Sequence, residues 1–255
     1  MKLFVLKGLV LIAFIVMMVF NVLANTLPLN NQTTGAISDR YPSLFTPAGI
    51  TFSIWGVIYL LLGIYVVRTL LMQADTISDT FKEPLMIIFI VSALFNTLWL
   101  FMWHYERMFL STLVIIMLLI TLAFAFMIIP SEEGLTRTTF SLYFGWVSIA
   151  TIANITILLV SRNFSGFGIS EAVWFGIILI VGVVLLSIVL YQQGDVIYGL
   201  VFIWAYFGIF LRHYTQENLL EPHPYLTFYS LLMTIFIVGL TAYTYLINNF
   251  QFFRD

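Results

Sequence analysis

Residues 84–104 read PLMIIFIVSALFNTLWLFMWH and residues 109–129 read FLSTLVIIMLLITLAFAFMII. Neither run carries Asp, Glu, Lys or Arg, and each is long enough to cross a hydrocarbon layer of about 30 Å as a helix. Lipid offers a backbone no hydrogen-bond partner, so these runs must be helical; barrel strands would be shorter and alternating. The pattern recurs at roughly 4–24, 48–68, 139–161, 171–191, 196–212 and 226–248, with the 196–212 run the shortest. The fold class is therefore all-α, a polytopic membrane helix bundle of about eight transmembrane helices.

Composition agrees and excludes several functions. Of 255 residues, 62% are hydrophobic and 9% charged, with mean hydropathy +1.05. A soluble globule averages about 25% charged residues because its surface faces water, and this chain cannot supply that surface. A net charge of −2 gives no basic face for a phosphate backbone, so no nucleic-acid partner is expected. There is no cysteine, and His104, His213 and His223 are too far apart in sequence for a ligand pair, so no metal site is expected.

Turn and cap residues mark the boundaries. Pro47 and Pro224 read as openings of the second and eighth spans, where a missing N–H costs nothing. Thr80 with Glu83 reads as a capping box before Pro84. Pro130 stops the fourth span, Ser170 followed by Glu171 caps the sixth, and Gln192-Gln193-Gly194-Asp195 turns the chain into the seventh. The first span has two readings. Lys2 and Lys7 ahead of an apolar run ending Val22-Leu23-Ala24 fit either a retained helix or a secretory signal cleaved after Ala24.

Basic residues set the orientation. With the N-terminus inside, Lys2, Lys7, Arg68, Lys82, Arg137 and Arg254 fall inside, against Arg40, Arg107, Arg162 and Arg212 outside, which favours both termini inside. Residues 25–46 then form the longest outer connection, long enough to fold over a bundle mouth as a lid. The lack of an Arg- and Ser-rich transit segment favours a bacterial cytoplasmic membrane over an organelle.

No acidic or basic residue lies at the middle of a span; Arg68, Arg162 and Arg212 lie at ends, where snorkelling is cheap. No nucleophile–base or carboxylate pair has workable spacing. We therefore expect no enzyme, no catalytic residue and no cofactor. What the spans do carry is polar-aromatic stripes at helical spacing. Phe52, Trp55 and Tyr59 share a face of the second span, Asn96, Trp99 and Trp103 one of the third, and Tyr143, Trp146, Ala150 and Asn154 one of the fifth. Two readings fit: an interfacial aromatic belt with asparagines bridging helices, or the walls of a shared cavity.

These residues also resemble a known family. Phe45-Thr46-Pro47-Ala48-Gly49-Ile50-Thr51-Phe52 with Trp55 and Tyr59, then Asn96-Thr97-Leu98-Trp99 with Trp103, are similar to the second- and third-helix motifs of the TspO/MBR family. These are the tryptophan-rich sensory proteins related to the mitochondrial translocator protein, or peripheral benzodiazepine receptor. Tyr143-Phe144-Gly145-Trp146-Val147-Ser148-Ile149-Ala150-Thr151-Ile152-Ala153-Asn154 resembles its fifth-helix Tyr-x-x-Trp-Val-Ser-x-Ala-x-x-x-Asn pattern at every fixed position. Two departures stand out: Phe52 and Trp55 are one residue closer than in the family, and Ser53 replaces its usual proline.

The resemblance divides the chain into 1–162, a TspO/MBR-like five-helix bundle with its first helix retained, and 163–255, three additional transmembrane helices. It implies a receptor or sensor for an apolar planar ligand, a tetrapyrrole or sterol-like molecule, in a tryptophan-lined cavity. Trp55, Trp99, Trp103 and Trp146 would stack on that ligand, Asn96 and Asn154 would supply amide contacts, and Phe52, Tyr59, Tyr143 and Ala150 would complete the wall. A transporter or facilitator of small apolar or amphipathic molecules is the alternative. The expected partners are that hydrophobic small molecule and the lipid bilayer. The family allows a homodimer, though no Gly-x-x-x-Gly motif marks an interface.

Overall fold

The computed structural model describes residues 2–27, 29–73, 81–215 and 224–252. The main helices are α1 (Lys2–Thr26), α2 (Thr34–Arg40), α3 (Ile54–Leu71), α4 (Lys82–His104), α5 (Met108–Ile128), α6 (Gly134–Ser161), α7 (Glu171–Gln193), α8 (Val196–Thr215) and α9 (Pro224–Phe252). All except the seven-residue α2 contribute one of eight helices long and apolar enough to cross a membrane. No strand occurs among the described residues.

Most boundaries fall where local chemistry requires. Ser170 caps α7 by accepting from the Val173 N–H. Gly194 ends it in the left-handed region (φ 60°), its N–H returning to the Leu190 carbonyl, a conformation glycine adopts without the Cβ penalty. The Asp195 carboxylate then accepts from Tyr198 N at 2.9 Å and starts α8. α5 ends at Ile128, two residues before Pro130, and α9 begins at Pro224. Two expectations change. Pro47 does not open a helix directly, because a 3-10 turn over Gly49–Ser53 precedes α3. The expected capping Thr80 lies outside the described residues; Phe81 takes the cap position of α4 without a side-chain hydrogen bond.

The chain forms two compact units. The first comprises Met1–Ile37 and Ile54–Val147. Here α1 packs on α3 and α4, and α4 forms an antiparallel pair with α5. Lys7 Nζ donates to the Leu70 carbonyl (3.1 Å) and to that of Met72, placing a cation on the unsatisfied carbonyls that end α3. Arg137, expected in a connecting loop, is buried in the first turns of α6. Its guanidinium donates to the Phe126 and Ile129 carbonyls and lies 3.6 Å from the Phe126 ring centroid. Within the connection after α1, Asn30 donates to the His104 carbonyl (3.0 Å) and Gln32 to Glu106 (3.2 Å), so residues 29–34 cover the C-terminal end of α4.

The second unit comprises Ser38–Ser53 and Ser148–Asp255. Its central helix is α8, which packs on α7, α9 and the 49–53 turn. Of its span 56% is buried, against 28% for α7 and 22% for α9, which explains its lower hydropathy: it faces protein more than lipid. Close backbone approaches need glycine here. A Cβ on Gly208 would sit 2.0 Å from Thr51 Oγ1, and one on Gly199 2.6 Å from Thr241 Cγ2. Ala48 N donates to the Gly208 carbonyl, Trp204 Nε1 to that of Thr51 (both 2.9 Å) and His213 Nε2 to that of Leu44 (2.9 Å), fastening residues 44–51 along α8. Arg212, read from sequence as a snorkelling end residue, is instead 3% exposed and 3.9 Å from Asp39. Its place in the last turn of α8 suits a cation facing the helix C-terminus.

Candidate functional site in the first unit

Seven of the ten residues singled out in sequence converge in the first unit. Because 3.6 residues make a turn, Trp55 and Tyr59 leave α3 on one face, Asn96, Trp99 and Trp103 leave α4 on another, and Tyr143 and Trp146 leave α6. Trp55 stands at the centre. Its ring is stacked on Tyr59 (5.3 Å, 18°), tilted against Trp99 (6.4 Å, 30°), and edge-on to Tyr143 (6.1 Å, 70°) and Trp146 (6.2 Å, 88°). Trp99 in turn stacks with Trp103 (5.8 Å, 29°). Both stacked and edge-to-face geometries suit the ring quadrupole, each pair contributing about 0.5–1.5 kcal/mol. Trp55 and Tyr59 remain half-buried while Trp99, Trp103, Tyr143 and Trp146 are buried.

Behind the rings runs a polar chain. Tyr59 OH donates to Asn21 Oδ1 (2.7 Å), Asn21 Nδ2 donates to Asn96 Oδ1 (2.9 Å), and Asn96 Nδ2 donates to Tyr143 OH (3.0 Å). Asn21 Nδ2 also reaches the Met17 carbonyl in its own helix (2.9 Å). Four helices, α1, α3, α4 and α6, are thereby tied through two amides and two phenols. In a low-dielectric interior such a connected chain fixes side-chain rotamers as well as helix positions. Asn21 lies outside the polar-aromatic stripes that helical spacing singles out. Its signal was available, since an amide in an otherwise apolar span needs a partner.

The indole nitrogens differ in role. Trp103 Nε1 donates to the Thr34 carbonyl (3.2 Å) and so holds α2 to the end of α4. Trp99 Nε1 is buried and has no acceptor, an unmade hydrogen bond that costs about 1–3 kcal/mol unless something supplies the acceptor. Asn96 is fully buried, its side chain accepting from Asn21 and donating to Tyr143. The remaining three expected residues belong to the second unit: Phe52 in the 49–53 turn, and Ala150 and Asn154 on the later part of α6. Phe52 and Ala150 are half-buried and Asn154 is buried. Among the described residues, no three His, Asp or Glu side chains lie close enough to hold a metal ion.

The site thus offers aromatic surface, the unsatisfied Trp99 N–H donor and a rigid amide backing, with no ionisable carboxylate, ammonium or imidazole in the ring cluster among the described residues. A family model described as TSPO-like protein matches residues 7–243. The match runs beyond the motif-bearing residues 1–162, through α7 and α8 and most of α9. No curated protein and no solved structure matches the chain.

Proposed function

The chain belongs to the TSPO-like protein family and is a multi-pass membrane protein, and from that premise we propose that it binds an apolar planar ligand against the Trp55-centred ring cluster. The role is that of a receptor or sensor without a chemical step, since indoles, phenols and amides do not exchange protons near neutral pH. The observation that carries the reading is Trp99 Nε1, a buried donor with no acceptor beside the half-buried rings of Trp55 and Tyr59. A ligand presenting a carbonyl or carboxylate oxygen at the edge of a flat apolar body, as tetrapyrroles and oxidised sterols do, would satisfy that donor while stacking on the rings.

Physical chemistry restricts where the affinity comes from. A ligand arriving from lipid is already in an apolar medium, so burial contributes little. Stacking at about 0.5–1.5 kcal/mol per ring and one hydrogen bond at about 0.5–1.5 kcal/mol must supply the discrimination. The test is titration of the detergent-solubilised protein with protoporphyrin, followed by tryptophan quenching. We expect saturable quenching and a loss of about tenfold or more in affinity for Trp55→Ala combined with Trp99→Ala. Unchanged affinity in that variant would overturn the site. Counterflow of the same ligand in proteoliposomes would favour the transporter reading over the receptor.

A further inference from the structure

A cavity of about 470 Å3 lies wholly within the second unit, where α6 ends and α7 begins. That volume is within the range of small-molecule sites, about 300–1,000 Å3. Phe45 and Phe175 are buried lining residues, and Phe164 and Trp174 line it from the more open side. Phe175 is held in turn by His213, 5.0 Å away between ring centroids. Leu159 extends the lining along α6, and Glu171 stands at the loop end. Among the described residues, the lining contains a carboxylate and no Lys, Arg or His; Arg162 is adjacent in sequence but exposed and outside the described lining.

The 163–168 loop is built to present its rings. Asn163 (φ 52°) and Phe167 (φ 56°) adopt left-handed backbone alongside Gly166 and Gly168, and a bulky residue there is a conformational outlier that persists only when its surroundings fix it. The fixing contact is visible. Trp174 Nε1 donates to the Gly166 carbonyl at 2.9 Å, and a Cβ on residue 166 would come within 2.9 Å of that same nitrogen. The bond occupies the indole N–H and leaves the ring faces. Phe164 meets Trp174 edge-on (6.2 Å, 65°) and Phe167 nearly perpendicular (5.0 Å, 88°). Rings set at steep angles in a lining they share with a carboxylate, and with no cation among the described lining residues, suit an organic cation.

We propose that this cavity binds an alkylammonium amphiphile, its ammonium between the Glu171 carboxylate and the rings of Phe164 and Trp174 and its chain along Leu159. The polarity gradient fits the placement. The chain end follows the apolar α6 span, whereas the head meets the loop where spans end at Ser161 and begin at Glu171. The headgroup of a choline lipid and a free cationic amphiphile share this chemistry.

The experiment uses the full chain in dodecyl maltoside and decyltrimethylammonium as probe, with 1-decanol as the uncharged chain control, read by calorimetry. We expect the ammonium to bind about five-fold or more tightly than decanol, and Glu171→Gln to remove most of that preference. Phe164→Ala should weaken ammonium binding about three-fold; both positions are exposed, so folding is checked by circular dichroism. Equal affinity for the two probes, or a preference retained in Glu171→Gln, would overturn the proposal. Nanodiscs of phosphatidylcholine against a neutral galactolipid assign the source. Weaker probe binding in phosphatidylcholine supports the site with a lipid head as occupant, and equal binding supports it with a free amphiphile. Trp99→Ala, which bears on the other site, should leave the ammonium preference in place.

Discussion

Replacing Asn21 and Asn96 by leucine, singly and together, measures whether the polar chain acts as one unit. Asn96→Leu removes two bonds, from Asn21 Nδ2 at 2.9 Å and to Tyr143 OH at 3.0 Å. Asn21→Leu removes the 2.7 Å bond from Tyr59 and the same Asn21–Asn96 bond, along with the contact to the Met17 carbonyl. Hydrogen bonds between membrane helices are worth about 0.6 kcal/mol on average and up to about 1.7. Each single change should therefore lower stability by about 1–3 kcal/mol. Because one bond is common to both, the double variant should lose less than the sum of the singles by about 0.6–1.7 kcal/mol. The assay is equilibrium unfolding in mixed dodecyl maltoside and dodecyl sulfate micelles, followed by helical circular dichroism. Thr121→Val serves as control, since Thr121 is half-buried and bonds its own helix through the Met117 carbonyl; paired with Asn21→Leu it should be additive. A coupling between Asn21 and Asn96 no larger than the control's, about 0.3–0.5 kcal/mol, would refute the chain as a cooperative element.

Three further outcomes follow from individual contacts. Trp99→Phe keeps a ring and deletes the buried N–H without an acceptor; stability should hold or rise slightly while protoporphyrin affinity falls about three- to tenfold, read by melting temperature and fluorescence titration. Gly208→Ala places a methyl 2.0 Å from Thr51 Oγ1 and should destabilise by about 1–3 kcal/mol in the same micelle assay, with partial recovery when Thr51→Gly is added. Arg137→Lys should still cost about 1–3 kcal/mol, since an ammonium cannot reproduce a planar guanidinium bonded to two carbonyls and stacked on Phe126; stability equal to wild type would contradict that packing.

The architecture was largely readable from the amino acids, because the bilayer imposes a length and a polarity that composition must meet. Pro130, Ser170, Gly194 and Pro224 each act locally, through a missing N–H, a hydroxyl acceptor or a left-handed backbone, and their effects needed no tertiary information. The ring cluster was readable for a related reason: three- and four-residue spacing puts Trp55 with Tyr59, and Trp99 with Trp103, on common faces before any packing is known. What spacing could not show is which side chains meet across helices. Asn21 looked incidental within α1 because its partners lie 38 and 75 residues away. Arg212 looked like an end residue able to reach water, and only the folding of residues 38–53 onto α8 makes it buried. The 25–46 connection reads from its length as able to fold over a bundle mouth as a lid; in the structure residues 29–34 cover the end of α4 in the first unit and residues 44–51 lie along α8 in the second. Phe52 was grouped with Trp55 by spacing, but the 49–53 turn is 3-10 rather than α, and the register assumed for that stripe does not extend into it.

The ring cluster as a ligand site is tested most directly by photolabelling. A diazirine-bearing tetrapyrrole, photolysed on the membrane-embedded protein with and without excess protoporphyrin, should give competable adducts on peptides from α3, α4 and the first part of α6, around Trp55, Trp99 and Trp146. Competable adducts confined to α7, α8 and α9, or labelling that excess protoporphyrin does not reduce, would contradict it.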